Sequence, residues 1–395
     1  MTNHSITRID PGAMHYAHWT VLHQMRWYQS IQRRHKADLG TQRAVSDRFE
    51  KKFAAFVVKP RVSHPGIGFT HRKGRLIRKA ASVMSICSVP LAVPCPPMDL
   101  LSRPILLFTS PKAGSGANRE QIPLLRQLLS ERGLKFHEVG CPDELARISR
   151  HAADVGAPQP VVIAAGGDGT LGLVASRTLP ETPLLPMPMG TENLVGKMVG
   201  QASTAEAVFA SLAGGKIRRI DAATANGRLF LIMATAGFDA EVVRRLHLRR
   251  KGHIRRSSYV APILQTLQRY RFPKIRISRL ADDDTVIDET VCRWAMVFNL
   301  PRYAAGLQIA PTAIDDDGQL DVVAMSGRGL ISGLRYVAGA LSGSLERHQD
   351  IERFQTHRIR IESDERVAFE LDGDYIGRLP MVIESLPLRV TLVVP

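Results

Sequence analysis

The sequence predicts an α/β domain with a parallel, doubly wound sheet over residues 103–220, followed by a β-rich sandwich domain over residues 221–395. After Pro104, short apolar runs alternate with segments of helical spacing, which is typical of strands joined by crossover helices. After about residue 216, strand-like segments dominate, which favours a sandwich. A chain of 395 residues is also long enough to build two separate cores.

The first quarter of the chain differs from the rest in charge and patterning. The formal charge is +16, and residues 1–98 hold 16 Lys and Arg against 4 Asp and Glu, which leaves +4 for the remainder. This segment shows little sustained periodicity. We therefore expect residues 1–100 to be a basic, disordered extension. No recognisable nucleic-acid-binding module accompanies it, so nucleic acid is not an expected partner.

Each element of the α/β domain follows from a local pattern. Apolar runs bounded by turn residues predict strands, and apolar residues at spacings of three and four predict helices. Pro142 stands near the start of the second helix, where its missing N–H costs little. In order, the expected elements are a strand at 105–109, a helix at 118–132, a strand at 135–140, a helix from 142, strands at 161–165 and 184–188, and a helix opening at GTENL.

The second half is expected to consist mainly of strands. Asn226-Gly227 is a hairpin-turn signal between two of them. Three helices are expected near residues 238–248, 257–270 and 328–342. Further strand candidates are KIRISRL, ETVCRWAMVFNL, QLDVVAM, HRIRIES, RVAFELDG, YIGRLP and LRVTLVV.

The most informative segment is PVVIAAGGDGT, an apolar strand that ends in a glycine-rich turn before a helix. Such a turn offers backbone N–H groups and the positive end of a helix, which favours a nucleotide phosphate. Gly166, Gly167 and Gly169 let a ligand approach the backbone closely. Asp168 would act through Mg²⁺ or orient a water or hydroxyl, and Thr170 can cap the helix. A tight turn with an Asp cap is the alternative interpretation.

Cysteine spacing and hydropathy exclude several classes of protein. The four cysteines show no CxxC spacing, so neither a disulfide framework nor a zinc site is indicated, and a reducing cytosol fits. No run of 18 or more apolar residues is free of proline and charge, so no transmembrane helix is expected.

Several signals occur in one order along the chain. They are SPKAGSG, GGDGT, PMGTEN, an aspartate after a basic strand, AGFDAEV, APTAIDDDGQLDVV and ELDGDYIG. Together they resemble the diacylglycerol kinase catalytic-domain family, which includes bacterial lipid kinases and sphingosine kinases. The resemblance covers roughly residues 103–395. The ordered set is more specific than GGDGT alone, which also occurs in NAD kinases.

The resemblance implies a NAD kinase/diacylglycerol kinase-like α/β nucleotide-binding domain and a β-rich lipid-substrate domain, with the active site between them. The implied activity is transfer of the ATP γ-phosphate to a lipid hydroxyl with Mg²⁺. Asp317 matches a Mg²⁺-holding position, and Asp374 matches the Glu of the family's DGE motif, the proposed general base. Asp168 would join the Mg²⁺ and ATP network. By position, the nucleotide would be held by Ser115, Gly116, Gly166, Gly167, Asp168, Gly169, Thr170, Thr191, Asn193 and Asp221.

Three departures from the family pattern bear on this expectation. The first loop reads Ser-Pro where the family usually has Asn-Pro. Leu194 stands where many members have Asp, which removes a carboxylate from the Mg²⁺ network, and Glu192 would compensate only in a remodelled loop. Asp374 replaces Glu and is one methylene shorter as a base. Without the upstream motifs, Asp374 would be interpreted as a hairpin-turn residue. An active kinase is still favoured, because phosphoryl transfer depends mostly on positioning and charge neutralisation.

Two further features leave alternatives open. The segment Arg244–Arg256 holds seven Arg or Lys with interleaved Leu and Ile, which fits docking on anionic membrane lipid or a solvated surface equally well. Either an acyl-chain cleft or an ordinary core would account for Phe238, Leu246, Ile254, Tyr259 and Phe272.

The predicted function is therefore that of an ATP- and Mg²⁺-dependent lipid kinase, cytoplasmic and peripherally associated with a membrane that holds its lipid substrate. An NAD kinase-like phosphotransferase is the nearest alternative, although the STPTGSTAY-like loop of NAD kinases is absent. A catalytically degenerate lipid- or nucleotide-binding homologue is the third. Diacylglycerol, a sphingoid base, monoacylglycerol and undecaprenol all stay open as substrates, and so does a homodimer.

Overall fold

The computed structural model describes residues 97–109, 117–249, 260–301, 307 and 309–395. In its first part, strands and helices alternate as the apolar patterns predict. A short 3₁₀ turn at Ala117–Glu120 precedes the first helix. The elements are β1 (Ile105–Thr109), α1 (Gln121–Glu131), β2 (Phe136–Val139), α2 (Pro142–Asp154), β3 (Val161–Gly166), α3 (Asp168–Arg177), β4 (Pro183–Pro188), α4 (Leu194–Met198) and α5 (Ala205–Gly214).

Strands β1 to β4 form a parallel sheet in the order β2-β1-β3-β4. Helices cover both faces of this sheet, because α1 and α5 pack on one set of strand side chains and α2 and α3 on the alternate set. Leu107 and Leu125 belong to the first core, and Phe108 and Leu171 to the second. The predicted doubly wound α/β domain is therefore confirmed.

The second part is mainly antiparallel. Its elements are β5 (Ile217–Ala225), β6 (Arg228–Phe230), β7 (Met233–Ala236), α6 (Phe238–Arg249), α7 (Val260–Arg269), β8 (Ile275–Leu280), β9 (Val286–Cys292), β10 (Trp294–Phe298), β11 (Leu320–Met325), α8 (Gly329–Ser342), β12 (Ile351–Thr356), β13 (Arg358–Glu362), β14 (Ala368–Leu371), β15 (Asp374–Arg378) and β16 (Met381–Val393).

Two sheets enclose the core of this part. One is a six-stranded antiparallel sheet in the order β12-β11-β10-β7-β14-β15. The other continues the parallel sheet through β16, β13, β8 and β9, and β5 pairs with β16. Ile359 and Ile383 of one sheet and Val297 and Val322 of the other meet in a shared apolar core. The predicted sandwich is therefore confirmed.

The last strand connects the two parts of the chain. Thr391 and Leu392 of β16 pair in parallel with Pro183 and Leu184 of β4, so the C-terminal strand extends the α/β sheet. The predicted domain boundary between residues 220 and 221 falls inside β5, and it stays a prediction. The predicted extension at residues 1–100 lies almost wholly outside the described residues.

Several expectations about single elements were wrong. The segment after Asn226-Gly227 was expected to form one strand, but it forms β6 and β7, which belong to different sheets. ETVCRWAMVFNL was expected to form one strand, but β9 ends at Cys292 and β10 begins at Trp294. At Arg293 the chain leaves one sheet and enters the other, which divides the apolar run between them. Strand β12 was not predicted, because four of its six residues are charged or polar and its side chains are mostly exposed or half-buried.

Among the described helices, none combines the length and apolar character needed to span a bilayer.

Candidate functional site

The GGDGT turn lies where β3 passes into α3. Helix α3 begins at Asp168 with Gly167 as its N-cap, and no side chain caps it. The prediction that Thr170 caps the helix was wrong, because the helix begins two residues earlier. The Thr170 side chain instead lies over Gly166, where an added Cβ would be 2.2 Å from its Oγ1. The first N–H groups of α3 have no partner within the helix, which leaves them available to an anion.

A second loop, at residues 189–193, packs against this turn. The backbone N–H of Met189 donates to the carbonyl of Gly166 at 2.8 Å. A Cβ on Gly190 would lie 2.7 Å from the Cα of Gly167, so the two backbones touch and leave no room for a side chain. Asn193 closes the second loop, since its amide accepts from Gly190 N and donates to Gly190 O, each at 2.8 Å. Its φ of +50° places it in the left-handed region.

Asp168 connects the two loops. Its carboxylate accepts the N–H of Leu194 at 2.9 Å and that of Val195 at 3.1 Å, which are the first residues of α4. Burial raises the pKa of Asp168 above its ordinary value, and the two backbone N–H groups and the charge of Lys197 oppose that rise. Leu194 thus contributes its backbone N–H to the site and buries its side chain.

Four of the predicted nucleotide-binding residues line one small depression of about 10 Å³ between β3 and α4. These are Gly166, Gly167, Asp168 and Asn193. Thr191 is exposed in the second loop, two residues before Asn193 in the sequence. Ser115 and Gly116 lie outside the described residues, so their assignment stays a prediction.

The DGD motif forms a tight hairpin turn between β14 and β15. Asp372 and Gly373 have φ values of +49° and +86°, the pattern of a type I′ turn. Asp374, the predicted general base, is exposed and is the first residue of β15. The turn chemistry and the proposed chemical role therefore coexist in one segment.

Asp372 is the site residue that the sequence analysis missed. Its carboxylate accepts the backbone N–H groups of Leu231 and Ile232 at 2.8 Å and of Met233 at 3.0 Å. Burial raises its pKa to about 6, the three N–H groups oppose the rise and the charge of Asp168 adds to it. Its Oδ2 is 3.9 Å from a Cβ placed on Gly172, one helical turn after Asp168. The DGD turn therefore lies against the helix that follows GGDGT.

A second buried carboxylate supports the DGD turn from below. Glu370 is fully buried and accepts the N–H of Gly373 at 2.6 Å and the hydroxyl of Thr235 at 3.0 Å. The Thr235 hydroxyl also lies 3.3 Å from Oδ2 of Asp239. Burial, followed by the charge of Asp239, raises the pKa of Glu370 well above its ordinary value. These contacts hold the backbone from which Asp374 extends.

The structure gives Asp221 and Asp317 partners away from the GGDGT turn. Asp221 is fully buried, and its two oxygens accept the N–H groups of Gly318 and Leu388, each at 2.6 Å. These contacts offer no support for its assignment to the nucleotide. Asp317 is exposed, and its Oδ1 accepts the N–H of Gln319 at 2.9 Å.

Whether the acidic turn at residues 315–317 fits a cation depends on Asp315, which was not among the predicted site residues. Asp315 is buried and pairs with Arg218, but its Oδ2 has no hydrogen-bond partner. An orphaned carboxylate oxygen is an acceptor that a hard cation would satisfy. Among the described residues, no group of three or more His, Cys, Asp or Glu side chains is arranged to hold a metal ion. The role of Asp317 stays a prediction.

The basic segment and the apolar candidates are only partly described. Arg244 forms two hydrogen bonds of 2.7 Å with Glu241, and Arg245 a third at 3.0 Å, so both cations are already paired. Residues 250–256 lie outside the described part of the chain. Phe238, Leu246 and Phe272 are buried in the core, while Ile254 and Tyr259 fall outside the described residues.

Two family models match the chain. The model described as the diacylglycerol kinase catalytic domain matches residues 104–225. The model described as the YegS C-terminal NAD kinase beta sandwich-like domain matches residues 233–394. The two models together span nearly all of the described residues.

Similar proteins carry related names. A diacylglycerol kinase of Bacillus subtilis is 24% identical over 300 residues, which cover 73% of this chain and 95% of that protein. A diacylglycerol kinase of Mycobacterium tuberculosis is 27% identical over 303 residues, covering 74% and 95%. The crystal structure of a diacylglycerol kinase from Bacillus anthracis matches with a TM-score of 0.54 and 23% identity, over 74% of this chain and 97% of that one. The structural likeness supports the fold.

Proposed function

The chain belongs to the diacylglycerol kinase catalytic-domain family, and from this premise we propose that it is an ATP-dependent lipid kinase that transfers the γ-phosphate to the hydroxyl of diacylglycerol or a related lipid. Kinase-type chemistry is what the family and its named relatives have in common. The choice of lipid and the dependence on ATP and Mg²⁺ are part of the proposal.

One observation carries the proposal further than the family resemblance. The DGD turn lies against α3, with the carboxylate of Asp372 beside Gly172, which is one helical turn after Asp168. A phosphate held at the start of α3 and a hydroxyl held near Asp374 would therefore be neighbours. Phosphoryl transfer needs this proximity more than it needs covalent help from the protein.

Each residue then has a defined task. The backbone N–H groups of GGDGT bind the nucleotide phosphates. Asp374 accepts the proton of the lipid hydroxyl as its oxygen attacks the γ-phosphorus and the bond to the β-phosphate oxygen breaks. Asp168 and Asp372 hold the two loops and the DGD turn in register through their backbone hydrogen bonds.

The proposal includes a divalent cation beside these two carboxylates. Burial raises the pKa of both Asp168 and Asp372, and the charge of Asp168 raises that of Asp372 further. A cation beside them would offset that cost. When bound, Mg²⁺ would neutralise charge on the β- and γ-phosphates. Because the lipid acceptor lies in a membrane, the proposal includes a cytoplasmic protein that associates with its surface.

Phosphoryl transfer to a panel of acceptors tests the proposal. The full chain would be incubated with ATP labelled at the γ-phosphate, with and without Mg²⁺. The acceptors in mixed micelles would be diacylglycerol, monoacylglycerol, a sphingoid base and undecaprenol, with NAD as a soluble acceptor. We expect label on a lipid, only with Mg²⁺. Label on NAD alone would favour an NAD kinase-like enzyme, and ATP binding without transfer would favour a degenerate homologue.

The assignment of Asp374 has its own test. Asp374→Asn removes the proton acceptor and is expected to lower kcat by about 10²–10⁴-fold, with a smaller effect on the KM for ATP. Asp374→Glu keeps a carboxylate and should retain measurable transfer. Asp364→Asn, at an exposed position before β14, is the matched control. Wild-type kcat in Asp374→Asn would show that another group takes the proton.

A further inference from the structure

The outward face of α8 (Gly329–Ser342) carries a row of apolar side chains, which we call the α8 stripe. Ile331, Leu334, Ala338 and Leu341 follow one another at spacings of three, four and three residues, so they lie on one face of the helix. Ile331 is 76% exposed, Leu334 44% and Leu341 48%. The part of the chain that the structure describes therefore leaves the stripe uncovered.

The inward face of α8 fixes the orientation of the helix. Tyr336 and Ala340 are buried, and the Tyr336 ring packs on Trp294 with centroids 6.3 Å apart. The Tyr336 hydroxyl donates to Asp350 Oδ2 at 2.7 Å and accepts the N–H of Gly327 at 2.7 Å. The stripe is therefore exposed on a helix whose opposite face packs firmly against the core.

Two stretches of the sequence hold Lys and Arg but no Asp or Glu, whereas Asp350 beside α8 pairs with Arg335. Residues 242–281 contain 12 Lys and Arg and no Asp or Glu. This stretch includes α7 (Val260–Arg269) and most of α6 (Phe238–Arg249). Helix α6 packs against α7, and α7 packs against α8. Residues 322–345 likewise hold two arginines and no acidic residue.

We propose that the α8 stripe is a membrane-docking surface that inserts into the interface of an anionic lipid bilayer. An amphipathic helix in the plane of a bilayer buries its apolar face, and neighbouring basic side chains attract the anionic headgroups. The choice of a bilayer rests on the proposed lipid kinase function, which requires access to a lipid held in a membrane. Helix α6 relates this surface to the site, because it packs against β14 and β15 on either side of the DGD turn.

Charge decides between a bilayer and other occupants. A second copy of the chain would bring together two copies of α7 and α8, whose charged residues are all arginines, and like charges oppose such pairing. Arg335 is the only charged residue of α8, and it already pairs with Asp350 at 3.0 Å, so a second α8 offers no complementary charge. A nucleic acid would pair with the basic residues but would leave the apolar stripe in water.

Sedimentation of the full chain with phosphatidylglycerol vesicles tests the proposal. The variant Ile331→Gln/Leu334→Gln removes the stripe and keeps good helix formers. Raised salt in the assay screens the charges of residues 1–98 and of the basic residues near α8 alike, so the comparison of the variant with the wild type isolates apolar insertion. We expect the vesicle partition coefficient of this variant to fall by about tenfold or more. The matched control is Ile287→Thr/Val291→Thr on strand β9, where the two side chains are 64% and 56% exposed. It should partition as the wild type does.

Equal partitioning of the stripe variant and the wild type would overturn the proposal. So would a lipid-free wild-type dimer that the stripe variant converts to monomers, because a second copy would then cover the stripe. Vesicle binding is measured without turnover, so the two proposals can fail separately. Stripe-dependent binding without transfer to any lipid would reject the kinase function alone. Transfer to a vesicle lipid with stripe-independent binding would reject the docking surface alone.

Discussion

Neutralising Asp372 should change the pH dependence of folding in a calculable way. The substitution Asp372→Asn keeps the size of the side chain and removes its charge. In the wild type, burial and the nearby Asp168 raise the pKa of Asp372 to about 6, against 3.8 for an exposed aspartate. The folded protein therefore retains this proton at pH values where the unfolded chain has released it.

The sign and size of the effect follow from proton linkage. Between about pH 4 and pH 6 the folded state binds more protons at Asp372 than the unfolded state does, so the free energy of unfolding falls as the pH rises. The loss is complete above pH 6 and amounts to about 3 kcal/mol, at 1.36 kcal/mol per pH unit. From pH 5 to pH 7.5, which avoids acid unfolding, the expected change is about 1.4 kcal/mol.

Urea unfolding at several pH values, without nucleotide or Mg²⁺, measures this effect. The free energy of unfolding of Asp372→Asn minus that of the wild type should increase by about 1.4 kcal/mol from pH 5 to pH 7.5. The matched control is Asp364→Asn, an exposed aspartate before β14. A difference that does not vary with pH would refute the argument, because it would mean that Asp372 ionises equally easily in the folded and unfolded chain.

Two further substitutions test the packing around the site and the docking helix. Gly190→Ala places a Cβ 2.7 Å from the Cα of Gly167 and should weaken ATP binding and cost about 1–3 kcal/mol of stability, measured by nucleotide titration and urea unfolding. Gly214→Ala, at the end of α5, where an added Cβ meets nothing within 4 Å, is its control, and equal behaviour of the two would contradict contact between the loops. Tyr336→Phe removes the hydroxyl bonded to Asp350 and should cost about 1–2 kcal/mol with kcat unchanged. An unchanged urea midpoint would show that this hydrogen bond adds no net stability.

At the DGD turn, the sequence indicated one functional aspartate and missed another. Asp374 could be nominated from the sequence, because its motif and its turn chemistry are both local. Asp372 was passed over, since a carboxylate in a tight turn ordinarily faces water. Its three donors lie at residues 231–233, about 140 positions earlier in the chain. No local pattern indicates that these N–H groups lack another partner.

Asp221, in contrast, was nominated from the sequence, and the structure gives its carboxylate partners away from the GGDGT turn. Its place in the ordered set of motifs suggested a role at the nucleotide, but both of its oxygens accept backbone N–H groups from Gly318 and Leu388. These donors are 97 and 167 residues away. A motif position predicts that a residue type is required, and it does not say which contact requires it.

The sequence by itself determined the elements whose causes are local. The apolar run before GGDGT predicts β3, the glycines predict the turn, and the alternation of strands and helices predicts the parallel sheet. Tertiary structure alone decided how distant segments combine. Strand β16 joins the α/β sheet beside β4, and the DGD turn lies against α3. The physical reason is that strand pairing and burial of a carboxylate depend on partners far along the chain, whereas periodicity and turn preference depend only on neighbouring residues.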